Sequence, residues 1–194
     1  MNDLCIGVTG HRNLAAPRAL ERRVEESLCR LDRRFAAAGL PAPVLTVASP
    51  LAEGADRLVA RVALRRPGAR LLALLPLPPD EYRRDFSDHS ALEFDALLGQ
   101  AERVLIAPPA PSREAAYAAA GLAVLDRCRI LIALWDGLPA RGIGGTSELV
   151  AEARTRSAPL IWIGIQPPFA VREERLARIL TPREPLQRKP SSTA

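Results

Sequence analysis

Six short apolar runs constrain this chain more than any other feature: residues 4–8, 44–48, 71–75, 104–106, 130–135 and 160–163. Each is followed by a turn and then by residues at helical spacing. The runs are apolar throughout rather than alternating, as in strands buried on both faces. After Pro17, a residue suited to a first helical turn, Leu20, Val24, Leu28, Leu31, Phe35 and Ala38 form one stripe. After Ser112, a candidate N-cap, Tyr117, Ala120, Gly121, Val124, Leu125 and Cys128 keep the same rhythm. Ser90 and Glu93 read as a capping box opening a further helix. Strand and helix alternate about six times, which predicts an α/β, three-layer Rossmann-like fold. Its sheet would be mostly parallel, of about six strands, with helices on both faces. One domain over residues 1–168 is expected. A C-terminal short helix within 172–180 and a tail, together residues 169–194, would follow.

Composition narrows the classes. Of 194 residues, 48% are hydrophobic and 25% charged, which is globular rather than disordered. No apolar run approaches the roughly 20 residues needed to cross a bilayer, and no basic-led leader opens the chain. A cytoplasmic protein is the expectation. Cys5, Cys29 and Cys128 are odd in number and widely spaced, which argues against a disulfide framework and against zinc. His11 and His89 are the only histidines, so no multi-histidine metal site is expected. Mg held through a ligand's phosphates stays compatible. The net charge is +5, and Lys189 is the only lysine among 27 basic residues. The arginines are spread over many helices rather than gathered in one tract. They read either as solvated faces or as a surface attracting nucleic acid.

Right-handed crossovers would place every strand's C-terminal end on one edge, where ligands bind in such folds. That edge collects residues 9–13, 49–56, 77–86 and 136–148. The strongest signal is the last: a buried strand, Asp136-Gly137, a short polar loop, then Gly142-Ile143-Gly144-Gly145-Thr146-Ser147-Glu148 opening a helix. Glycines let backbone N–H groups converge on an anion, and the helix start adds positive potential. The first loop offers Gly7-x-x-Gly10 rather than G-x-G-x-x-G. The second strand ends at Ser49-Pro50 with no acid at its tip, so dehydrogenase chemistry with NAD is disfavoured. Candidate ligand residues are Thr9, Gly10, His11, Arg12, Ser49, Glu53, Gly54, Asp56, Gly144, Gly145 and Thr146. Arg12 reads as a bidentate phosphate contact or as a surface ion pair. His11 reads as a loop hydrogen bonder or as a catalyst. Asp56 and Glu148 also suit first helical turns, where carboxylates are favoured by the dipole alone. Tyr82, Phe86 and Trp135 are candidates to stack on a base, with core packing as the alternative.

Three stretches together resemble the SLOG superfamily, which joins DprA/Smf proteins, LOG "lysine decarboxylase-like" proteins and YspA-like proteins. They are Gly7-Val8-Thr9-Gly10-His11-Arg12, Ser49-Pro50-Leu51-Ala52-Glu53-Gly54-Ala55-Asp56-Arg57-Leu58, and residues 142–148. The middle one is similar to the DprA and YspA S/G-x-x-x-G-x-D pattern. The last resembles the LOG P-G-G-x-G-T-x-x-E loop with altered glycine spacing, Glu148 standing two residues after Thr146. The resemblance implies a Rossmann-like sheet binding nucleotides or their derivatives at the strand tips, and a homodimer. Within that group three activities stand open: sensing of a nucleotide signal, hydrolysis of the N-glycosidic bond of nucleoside 5′-monophosphates, and binding of single-stranded DNA. Only as a hydrolase would Glu148 and Asp136 be catalytic, through paired-carboxylate stabilisation of a ribosyl cation. An aromatic content of 4% leaves few stacking platforms for a single strand.

Overall fold

The computed structural model describes residues 3–139 and 145–180. Seven strands form one sheet in the order β4-β3-β2-β1-β5-β6-β7. They are β1 (Asp3–Gly10), β2 (Val44–Ser49), β3 (Arg70–Leu75), β4 (Arg103–Ile106), β5 (Ile130–Trp135), β6 (Leu160–Gly164) and β7 (Val171–Glu174). The first six run parallel, and β7 adds to β6 antiparallel. The helices are α1 (Pro17–Ala37), α2 (Ala55–Leu64), α3 (Pro79–Tyr82), α4 (Asp88–Leu98), α5 (Arg113–Arg127) and α6 (Thr146–Thr155). The chain steps outward from β1 to β4, then crosses back through α5 to β5. By the right-handed rule, α1, α2 and α4 cover one face, and α5 and α6 the other. The fold is three-layered α/β and Rossmann-like.

Helical stripes set the layers. Leu20, Val24, Leu28, Leu31 and Phe35 of α1 are buried, while Ala38 caps the helix end outside the core. Ser112 caps α5 as expected, its Oγ accepting from Ala115 N at 3.2 Å. β5 is buried at every position, as a central strand between two helical layers must be.

Four sequence expectations change. Thr9 and Gly10 are the end of β1 rather than loop, because β5 continues alongside and pairs them with Ala133 and Leu134. The segment expected as a short helix is β7 followed by a 3-10 turn, Leu176–Leu180, so the sheet has seven strands rather than six. Ser90 and Glu93 are not a capping box: α4 starts at Asp88, and both side chains turn to Arg57 instead. β4, read as a buried strand, is the sheet's bare edge, with Val104 and Ile106 41% and 50% exposed.

Candidate functional site

The crossing back of the chain leaves a switch point between β1 and β5. In open parallel sheets the loops diverge there and a crevice opens beyond the strand ends. A cleft of about 620 Å³ lies at this position. That volume suits a small organic ligand. It is lined from β1 by Thr9 and Gly10, and beyond it by His11 and Arg12. Asp136 follows β5, and the start of α6 contributes Gly145 to Glu148. Asp56, Pro76, Tyr82 and Tyr117 close the opposite end.

Backbone contacts stitch this rim together. Leu134 O accepts from His11 N at 3.0 Å, and His11 O accepts from Ala55 N at 3.0 Å. Gly10 sits where a Cβ would lie 2.4 Å from that of Ala55. Gly54 has φ +75°, and a Cβ there would lie 2.1 Å from the Arg12 carbonyl oxygen. Both glycines are therefore required by close approach, which brings the first loop and the β2–α2 turn into one rim.

The β2–α2 turn is self-contained. Leu51 holds a left-handed backbone, φ 59°, while fully buried. Ser49 Oγ accepts its N–H at 3.0 Å, and Arg57 Nε donates to its carbonyl at 2.9 Å. Arg57 is completely buried, stacks 4.3 Å from the Phe86 ring centroid, and donates to Ser90 and Glu93 of α4. Ser90 in turn donates to Glu53. Ser49 and Glu53 thus serve the turn and its tie to α4, and neither lines the cleft. Sequence reasoning missed Arg57. The available signal was Ser90 and Glu93 one helical turn apart between Phe86 and Phe94, a receptor for a guanidinium.

On the first loop, Arg12 is exposed and forms no ion pair with the described residues; its guanidinium stacks over Tyr117 at 5.4 Å. His11 Nε2 accepts from Asp136 N at 3.4 Å and lies 3.2 Å from Asp136 Oδ1, which accepts from Leu138 N at 2.9 Å. His11 and Asp136 therefore fasten the two central loops to each other. Thr9 is buried at the cleft wall. Tyr82 and Phe86 pack with Phe94 in an aromatic cluster, and Tyr82 reaches the cleft. Trp135 also lines it, held by an Nε1 bond to Leu138 O at 3.0 Å.

Asp56 is the electrostatic exception. It is 6% exposed, and burial pushes its carboxyl up to about 7, against the backbone N–H of Ala52 and the charges of Arg12 and Arg57. Burial also pushes the Tyr82 phenol up, and the neighbouring Asp56 charge pushes the same way.

The N-cap of α6 is Gly145, in extended conformation at φ −76° and ψ 166°, which has no side chain of its own to cap the helix. The N–H groups of Thr146 and Ser147 have no intrahelical acceptor by their position. Glu148 is exposed at the cleft. Gly144 lies outside the described residues. Among those residues no group of three or more His, Cys, Asp or Glu is placed to hold a metal ion. No helix among them is long and apolar enough to cross a membrane.

No family profile matches the chain, and no curated protein sequence matches it. Among solved structures, the Moco carrier protein of Chlamydomonas rheinhardtii is similar at a TM-score of 0.43 and 17% identity. The alignment covers 87% of this chain and 80% of that one.

Proposed function

We propose that the switch-point cleft binds a small nucleotide or nucleotide-derived ligand, its phosphate seated between the start of α6 and Arg12. One observation carries this reading: a helix start whose N-cap is a glycine opens into a ligand-sized cleft whose described lining includes one unpaired guanidinium. Helix starts and arginine are each suited to phosphate, the first by dipole and N–H groups, the second by its fork of donors. The likeness of the three motifs to SLOG proteins agrees with it. Titration calorimetry against nucleoside monophosphates, ADP-ribose, NAD and cyclic nucleotides tests it. Binding of at least one ligand, weakened about tenfold by Arg12→Gln, is expected. No binding across the panel at millimolar ligand would overturn it.

Hydrolysis of a nucleoside monophosphate is the second reading, favoured by Glu148 standing at the cleft beside the proposed phosphate seat. Asp136 is less available for it, since its Oδ1 is shared between Leu138 N–H and His11. Release of free base from AMP, followed by chromatography, separates an enzyme from a binding module. For single-stranded DNA the support is thinner. The arginines of α1, α5 and α6, and Arg66 just beyond α2, pair widely with carboxylates: Arg30 and Arg34 with Glu173, Arg66 with Asp32, Arg113 with Asp85, Arg154 with Glu174. They are dispersed rather than aligned along a groove. A homodimer is part of the proposal only through the SLOG likeness, and Mg only as an ion held through the ligand's phosphates.

A further inference from the structure

The end of the cleft away from α6 is built differently from the phosphate seat. Two buried polar side chains stand there beside the exposed Arg12, Asp56 at 6% and Tyr82 at 1% exposed. Asp56 uses one oxygen, Oδ2, to accept from Ala52 N at 3.2 Å. Neither its Oδ1 nor the Tyr82 hydroxyl forms a hydrogen bond with the described residues. Neither atom is fully enclosed, so both look onto the open cleft. A ligand in the cleft would supply the missing partners. The surroundings specify its shape. Pro50 and Pro76 give flat apolar walls, and Tyr117 carries the planar Arg12 guanidinium over its ring. A flat heterocycle fits between such surfaces, whereas a sugar would bring hydroxyls that they leave unmet.

We propose that Asp56 and Tyr82 are the specificity-determining pair of this cleft, hydrogen-bonding the donor–acceptor edge of a nucleobase. This deepens the nucleotide reading and rests on it. A carboxyl oxygen meets a ring or exocyclic N–H, and the phenol meets the adjacent acceptor or donor. Sites that hydrogen-bond a ligand edge reject analogues lacking it, because buried polar groups are then stranded. The motif's acidic position would thus choose the base, while α6 and Arg12 hold the phosphate without regard to it.

The experiment titrates wild type, Asp56→Asn and Tyr82→Phe with AMP, GMP, CMP, UMP and base-free ribose 5-phosphate. Calorimetry follows strong binding and NMR shift titration weak binding. Wild type should separate the best base from the worst by about tenfold or more. Asp56→Asn should lower affinity for the best base by about tenfold and leave ribose 5-phosphate within about twofold. Tyr82→Phe, which keeps the packed ring, should act in the same direction with a smaller loss. Equal affinity for all bases in wild type would overturn the pairing. So would an Asp56→Asn loss shared equally by ribose 5-phosphate, or no loss at all. Failure of every compound to bind would instead overturn the phosphate seat itself, and the base reader with it. Thermal unfolding of each variant confirms that the titrated protein is folded.

Discussion

The β2–α2 turn and the β5–α6 turn end neighbouring regions of the same sheet edge, and both lead through glycine into a helix. They put that design to opposite uses. In the first, the chain's own side chains consume the turn: Ser49 and Arg57 hold Leu51, Ser90 holds Glu53, and Gly54 is wedged against the first loop. In the second, the N-cap of α6 is a glycine with no side chain of its own to meet the helix N–H groups, and Gly145 to Glu148 line the cleft. A strand–glycine–helix signature therefore marks either a brace or a seat. What decides is whether nearby side chains have already met the backbone's hydrogen-bonding demand.

If the first turn is a brace, breaking it should cost stability before it costs anything else. Gly54→Ala is the largest expected effect. Its φ of +75° suits glycine, and the added methyl would meet the Arg12 and His11 carbonyl oxygens at 2.1 and 2.4 Å. Backbone strain and overpacking together should cost roughly 3–5 kcal/mol, read as a lower midpoint of chemical unfolding. Unchanged stability would show that the two loops separate without penalty, and the brace would not exist.

Asp56 stands on the braced turn but faces the cleft, and its titration comes next in size. Burial raises its carboxyl from 3.8 to about 7. The folded state thus holds the proton more tightly than the unfolded chain. Its contribution is fully present below about pH 4 and is lost as pH rises through 7. Asp56→Asn cannot ionise, so its stability relative to wild type should climb between pH 4 and 7, by on the order of 2–4 kcal/mol. Taking this difference cancels groups of opposite sign, such as Glu173 and Glu174, whose pairing with arginine lowers their carboxyls. A flat difference across that range would mean that Asp56 is solvated and the cleft end is open to water.

Legibility followed burial. The apolar runs and the α1 stripe were readable because apolar burial leaves a period in the sequence. Gly10 and Gly54 were readable as candidate ligand residues at the strand tips, though not as the contact between two loops. β7 was hidden because three of its four residues are held by charge: Glu173 bonds Arg30 and Arg34, Glu174 bonds Arg154, and Arg172 lies 4.7 Å over Trp162. Charged edge strands carry no apolar alternation to find. Within the candidate site, sequence marked Ser49, Glu53 and Asp56 alike as acceptors or donors at a strand tip. Only packing separates them, since Ser49 and Glu53 turn back into the protein while Asp56 turns to the cleft.

The smallest change in stability is the most informative about the second turn. Gly145 is the N-cap of α6 and already extended, so an aspartate fits there without strain. Gly145→Asp should stabilise the protein slightly, by about 0.5 kcal/mol, because its carboxylate meets the helix N–H groups and the dipole. The same carboxylate would occupy the place proposed for phosphate and repel it, lowering nucleotide affinity by about tenfold or more. Stability and binding thus move in opposite directions, which no brace residue would produce: damage to Gly54 lowers both. Calorimetry and thermal unfolding on the one variant read the two signs. A Gly145→Asp protein that gains stability and still binds nucleotide as wild type does would remove the start of α6 from the site and leave Arg12 alone to hold the anion.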